Sequence, residues 1–141
     1  MPTPAEWGRR CRLALGERLK PEWGSYRLRG RKMLFNGKAV FALYSDFHVR
    51  ISQWFYGVPK TEWEDWQNQY LAILMKELNE VGYVLLNQKE SVTLLSKCGQ
   101  DSKGEKKINI RRPTGGGRIY IVEWEEFTLS SRQSSLQVSW V

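Results

Sequence analysis

Asn36-Gly37 stands between two short apolar runs, Met33-Leu34-Phe35 and Ala39-Val40-Phe41. Both turn residues tolerate positive φ, so the pair predicts a type I′ β-hairpin. A hairpin is marginal alone and requires further strands or a helix to cover it. The chain can supply them: 141 residues, 41% hydrophobic and 26% charged, suit one globular domain with a real core. That composition excludes wholesale disorder and fibrous repeats. The longest purely aliphatic stretch, Leu71 to Met75, is far short of the ~20 residues of a membrane span. Residues 1–10 contain no apolar h-region, which predicts no secretory signal. Cys11 and Cys98 offer neither a disulfide framework nor C-x-x-C zinc spacing, and predict a reducing, cytoplasmic setting.

Thr3-Pro4-Ala5-Glu6 reads as a capping box with proline in the first turn, predicting a helix from residue 4 to about 20 that Pro21 stops. Trp7, Cys11, Ala14 and Leu15 share one side of it, with Arg9, Arg10 and Arg12 largely elsewhere. Residues 25–35 read as one strand whose alternation places Arg27, Arg29 and Arg31 on one face. The hairpin's return strand runs to about Ser45, Asp46-Phe47 turns the chain, and a strand over 48–56 ends at Gly57 and Pro59. Thr61 and Glu64 form a second capping box. Trp63, Trp66, Tyr70, Ile73, Leu74, Leu78 and Val81 follow at spacings of three and four, predicting a central amphipathic helix over 62–81 closed by Gly82. A short strand over 83–86 and a helix over 88–98, with Val92 and Leu95 inward, come next. Paired strands at 107–112 and 118–127 flank Pro113 to Gly117, and the serine-rich stretch 130–135 reads as a loop. With no repeat or linker, residues 1–141 are expected to form a single basic α+β domain. It would have a mainly antiparallel sheet, an N-terminal helix, a central amphipathic helix and a short third helix.

The charge is unevenly placed. Residues 1–40 carry ten basic side chains against Glu6, Glu17 and Glu22, a net +7 that equals the net charge of the whole chain. A second basic cluster over 103–118, around the glycine-rich loop, contains Lys103, Lys106, Lys107, Arg111, Arg112 and Arg118. Such asymmetry produces a positive side that steers polyanions. Guanidinium groups offer forked donors matching phosphate oxygens or the guanine edge. Arg9, Arg10, Arg12, Arg27, Arg29, Arg31 and Lys32 are therefore the candidate phosphate contacts, with Lys106, Lys107, Arg111, Arg112 and Arg118 as a second set. Trp23 and Tyr26, set among these charges, are the candidates for base stacking. The 113–117 loop lacks the Gly-Lys-Ser/Thr ending of a P-loop. His48, the only histidine, lies near Asp46, but no nucleophile–base set or metal-spaced cluster can be assembled around it.

The order helix, three strands, helix, strand over residues 1–86 resembles the αβββαβ core of the PD-(D/E)xK nuclease superfamily. That resemblance implies Mg²⁺-dependent DNA hydrolysis, with Glu17 as the helix acid and Asp46 as a strand acid. The next strand reads Arg50-Ile51-Ser52-Gln53-Trp54 where the acid-x-Lys signature belongs, and Glu105-Lys106-Lys107 lies outside the core. Three readings follow. The first is a nucleic-acid-binding protein, DNA before RNA, with no cofactor. The second is a Mg²⁺-dependent endonuclease. The third is a homo-oligomeric assembly module in which the acidic segment 62–80 meets the basic segment of a neighbouring copy.

Overall fold

The computed structural model describes residues 3–63, 69–111, 121–122, 134–136 and 138. Helix α1 (Pro4–Trp23) starts at an N-cap on Thr3, whose hydroxyl oxygen accepts from the Glu6 N–H at 3.2 Å. It continues past the expected stop. Pro21 lies in its last turn, and the Gly24 N–H closes the end on the Lys20 carbonyl at 2.8 Å. A proline there removes one backbone bond, to the Glu17 carbonyl, and leaves the earlier turns intact.

The stretch 25–35 is not one strand. Strands β1 (Tyr26–Arg29) and β2 (Lys32–Phe35) form an antiparallel hairpin across Gly30-Arg31, with Arg29 opposite Lys32. Arg31 is thus a turn residue, while Arg27 and Arg29 share a strand face. Asn36-Gly37 joins β2 to β3 (Lys38–Asp46) as expected, with Phe35 opposite Lys38. Gly37 alone has positive φ (75°), so the turn is not type I′. After β3 the chain turns over residues 47–52, and strand β4 (Gln53–Val58) begins later than expected. Val49 and Ile51, expected on a pleated surface, are exposed at that turn.

The largest correction falls on 62–81. Helix α2 covers Lys60–Trp63, and strands β5 (Gln69–Glu77) and β6 (Glu80–Leu86) replace the expected central helix. Leu71, Ala72, Ile73, Leu74 and Met75 are all buried. An apolar run covered on both faces lacks the alternation of a half-buried strand, and its residues fit helical spacing equally well. Trp66 lies outside the described residues. Helix α3 (Gln88–Lys97) has a complete capping box between Asn87 and Glu90, but its inward residues are Ser91, Leu94 and Leu95, with Val92 exposed. Strand β7 (Lys106–Arg111) pairs with β8 (Ile121–Val122), and β9 (Ser134–Leu136) places the end of the serine-rich stretch on β6.

Six strands form one mixed sheet in the order β1-β2-β3-β5-β6-β9, in which only β3 and β5 are parallel. Strands β4, β7 and β8 form a second, antiparallel sheet. The α+β class with its mostly antiparallel sheet and N-terminal helix is therefore as expected. The αβββαβ order expected over 1–86 is not, since β4 joins the second sheet and 69–86 is extended.

Two packed layers follow from alternation along β3 and β5. Val40, Ala42, Ala72 and Leu74 face α1, meeting Cys11, Leu15 and Leu19. Phe41, Leu43, Leu71, Ile73 and Met75 face the other way, toward Trp54, Tyr56, Ile108 and Ile110 of the second sheet and Leu94 and Leu95 of α3. Ala42 and Ala72 are paired in register, and their short side chains let α1 sit close. The Trp54 Nε1–H donates to the Lys76 carbonyl at 3.0 Å and the Tyr56 hydroxyl to the Leu74 carbonyl at 2.8 Å, fastening β4 to β5. Among the described residues no helix is long and apolar enough to cross a membrane.

Candidate nucleic-acid interface

The β1–β2 hairpin is shorter than β3, so beyond the hairpin turn no strand among the described residues lies beside that edge of β3. Two arginines finish that edge at one residue. The Ala42 N–H donates to the Arg31 carbonyl at 2.8 Å, and the Arg12 Nε–H donates to the Ala42 carbonyl at 2.9 Å. Arg12, from α1, and Arg31, from the turn, are thereby held close together. Burial, and then the charge of Arg31, push the Arg12 guanidinium below its ordinary value. It remains a cation, since a guanidinium does not deprotonate in proteins. The Arg31 guanidinium lies over the Phe41 ring, 5.1 Å from its centroid.

Two clefts meet at Arg31. One, of ≈ 310 Å³ between α1 and the turn, is lined by Ala5, Arg9, Arg12, Leu28, Gly30 and Arg31. The other, of ≈ 400 Å³ on the opposite side of the turn, is lined by Arg29, Arg31, Lys32, Leu34, Phe41 and Glu62. Lys32 is ion-paired with Glu62 at 2.8 Å, so the second cleft contains a carboxylate and the first does not. Among the described residues Arg9, Arg12, Arg29 and Arg31 have no carboxylate within ion-pair distance. Glu62, expected to meet the basic segment of another copy, is engaged by Lys32 of its own chain.

The remaining candidates separate. Arg27 is exposed and shares its strand face with Arg29. Arg10 points to the other flank of α1, its guanidinium 5.5 Å from the Trp7 ring and its Nη1 buried without a hydrogen bond. Trp23 is occupied by packing: its ring meets Phe35 at 5.3 Å and Tyr70 at 4.8 Å, with the Lys38 ammonium at 4.5 Å. Tyr26 lies in the notch left by Gly16, where a Cβ would overlap the ring, and its hydroxyl donates to the Leu13 carbonyl at 3.1 Å. Both rings pack against the core and are partly buried. Lys107 is ion-paired with Glu105 and Asp101, which raises its pKa through the Glu105 bond first. Lys106 donates to the Cys98 carbonyl at 3.4 Å. Arg111 is exposed at the end of β7, opposite Gln53. Arg112, Arg118 and the 113–117 loop lie outside the described residues.

The nuclease acids are apart. Glu17 accepts from Tyr26 at 3.4 Å, while Asp46 accepts from the Tyr44 hydroxyl at 3.1 Å and pairs with Lys76 at 3.0 Å. His48 has left the strand and sets its ring edge-on to Phe55 at 5.1 Å. Among the described residues no three histidine, cysteine or acidic side chains are grouped to hold a metal ion. The part of the site that sequence reasoning missed is the Phe41 ring and the Ala42 carbonyl. Both lie in β3, and no local signal connects them to Arg12 thirty positions earlier. No protein-family model, curated protein or solved structure matches this chain.

Proposed function

We propose that the chain binds nucleic acid, with DNA the first substrate to test, through backbone phosphates at the β1–β2 turn. The observation that supports this is the convergence of Arg9, Arg12, Arg29 and Arg31 on one turn with no carboxylate partner among the described residues. Arg12 and Arg31 are close enough to repel each other, and a polyanion relieves that repulsion while matching guanidinium donor geometry. Contacts of this kind position a backbone and discriminate little between sequences. The Lys32–Glu62 pair limits the positive surface on one side, so the track runs from α1 across the turn to β1.

The test is a binding series with labelled single-stranded and duplex DNA and RNA at about 50 and about 300 mM salt, with EDTA and with Mg²⁺. Four phosphate contacts give a slope of log K against log salt of roughly −3 to −4, unaffected by EDTA. Arg29→Ala with Arg31→Ala should lower the slope by about one unit for each arginine removed. Salt-insensitive binding, or none, overturns the reading. Cleavage confined to the Mg²⁺ samples would favour the endonuclease instead.

A further inference from the structure

We propose that the cleft between α1 and the β1–β2 turn is a seat for a terminal phosphomonoester of a nucleic-acid strand. The inference rests on the nucleic-acid reading above and names the group taken by the one of the two clefts that no carboxylate lines. Three of the six residues lining that cleft are Arg9, Arg12 and Arg31, and no carboxylate lines it. The neighbouring cleft differs on this point, because Glu62 enters it and holds Lys32. Arg12 is fixed from behind by the bond of its Nε to the Ala42 carbonyl, so its donors arrive preorganised. The backbone of Arg31 is fixed by its bond to Ala42, and its guanidinium lies over Phe41 at the border with the neighbouring cleft. Preorganised donors lose less conformational freedom on binding than free surface side chains.

Charge selects the ligand. An internal phosphodiester carries one negative charge and leaves the other two guanidinium groups opposing each other. A phosphomonoester above its second pKa of about 6 carries nearly two charges and three acceptor oxygens, which answer the donors of Arg9 and Arg12 and the adjoining charge of Arg31. The volume of ≈ 310 Å³ suits one phosphate with part of its sugar, with Leu28 and Ala5 as the apolar wall.

The test compares otherwise identical short oligonucleotides ending in a 5′-hydroxyl, a 5′-phosphate or a 3′-phosphate, with inorganic phosphate and a mononucleotide as competitors. One phosphorylated end should bind about tenfold more tightly than the hydroxyl form, the size of one charge-assisted hydrogen bond. Arg9→Gln should abolish that preference, since Arg9 lines this cleft and not the neighbouring one. Arg29→Gln, in the other cleft, should weaken all oligonucleotides alike and keep the ratio. Both arginines are exposed and outside the core, so neither change threatens the fold. Salt-sensitive binding that is equal for phosphate and hydroxyl ends overturns the terminal seat and leaves backbone binding standing. Loss of all oligonucleotide binding overturns both. Arg9-dependent binding of inorganic phosphate or the mononucleotide without oligonucleotide binding overturns the strand end as its source.

Discussion

Asp46 and Lys76 are partners across the one parallel strand pair of the sheet, in register on β3 and β5 and ion-paired at 3.0 Å. The Lys76 side chain is 13% exposed and also lies 5.2 Å from the Trp7 ring, so the pair connects α1 to the sheet beneath it. Asp46 is more open, 45% exposed, and receives the Tyr44 hydroxyl as well.

Asp46→Asn removes one counter-charge from a largely desolvated ammonium. The expected cost is about 1–2 kcal/mol, below that of a fully buried pair because water reaches Asp46. Urea unfolding measures it, and nucleic-acid affinity should not change. An affinity loss with stability intact would instead make Asp46 part of the binding site.

Leu78 separates the strand assignment from the helical one. It occupies the β5–β6 turn with φ 53° and is 83% exposed. An L-residue in the left-handed region costs about 1–2 kcal/mol, which asparagine partly recovers. Leu78→Asn should therefore leave stability unchanged or raise it by up to about 1 kcal/mol. On the stripe of an amphipathic helix the same change would remove a buried leucine and cost several times more, at about 2–5 kcal/mol.

Stability should fall at alkaline pH. Burial pushes the Cys11 thiol from 9.0 up to about 12. Burial first, and then Asp46, raises the Tyr44 phenol, while burial and Glu17 raise that of Tyr26. Acids with raised pKa values in the folded state ionise first in the unfolded chain. Their stabilisation is complete below the unfolded value and is lost as pH rises through the folded one. The urea midpoint should decline from about pH 9 upward, and Tyr44→Phe should make the decline shallower. The same burial predicts slow alkylation of Cys11 in the native protein at pH about 8, accelerated by denaturant.

Gly16→Ala tests the seat of Tyr26. The added methyl would overlap the Tyr26 ring, so the ring, α1 or β1 must shift. Overpacking of this kind costs about 1–3 kcal/mol, and Tyr26→Gly in the same chain should restore none of the lost Tyr26–Phe35 packing. A neutral Gly16→Ala in urea unfolding would contradict the close approach.

What was legible in the sequence is what short-range bonds encode. Thr3 with Glu6 and Asn87 with Glu90 close hydrogen bonds within three positions, so their residue types alone mark where α1 and α3 begin. Asn36-Gly37 marks the β2–β3 turn in the same way, and the net +7 of residues 1–40 is a property of composition. The candidate site was only partly legible. Its arginines stood out by charge, but the separation of Arg10 from Arg9 and Arg12 depends on which flank of α1 meets the hairpin. The engagement of Lys107 by Asp101 and Glu105 likewise depends on how the 98–106 loop returns to β7.

Tertiary structure decided the rest. Residues 69–77 are a strand because α1 covers one face of them and the second sheet covers the other. With both faces buried, nothing in the local pattern separates a period of 2 from one of 3.6. Arg31 joins Arg12 only because the hairpin ends before β3 does, leaving the Ala42 backbone bonds to be completed by residues from two other elements. Trp23 and Tyr26 are partly buried for a related reason: Gly16, Phe35 and Tyr70 adjoin them in space, and no local signal in the sequence brings those residues together.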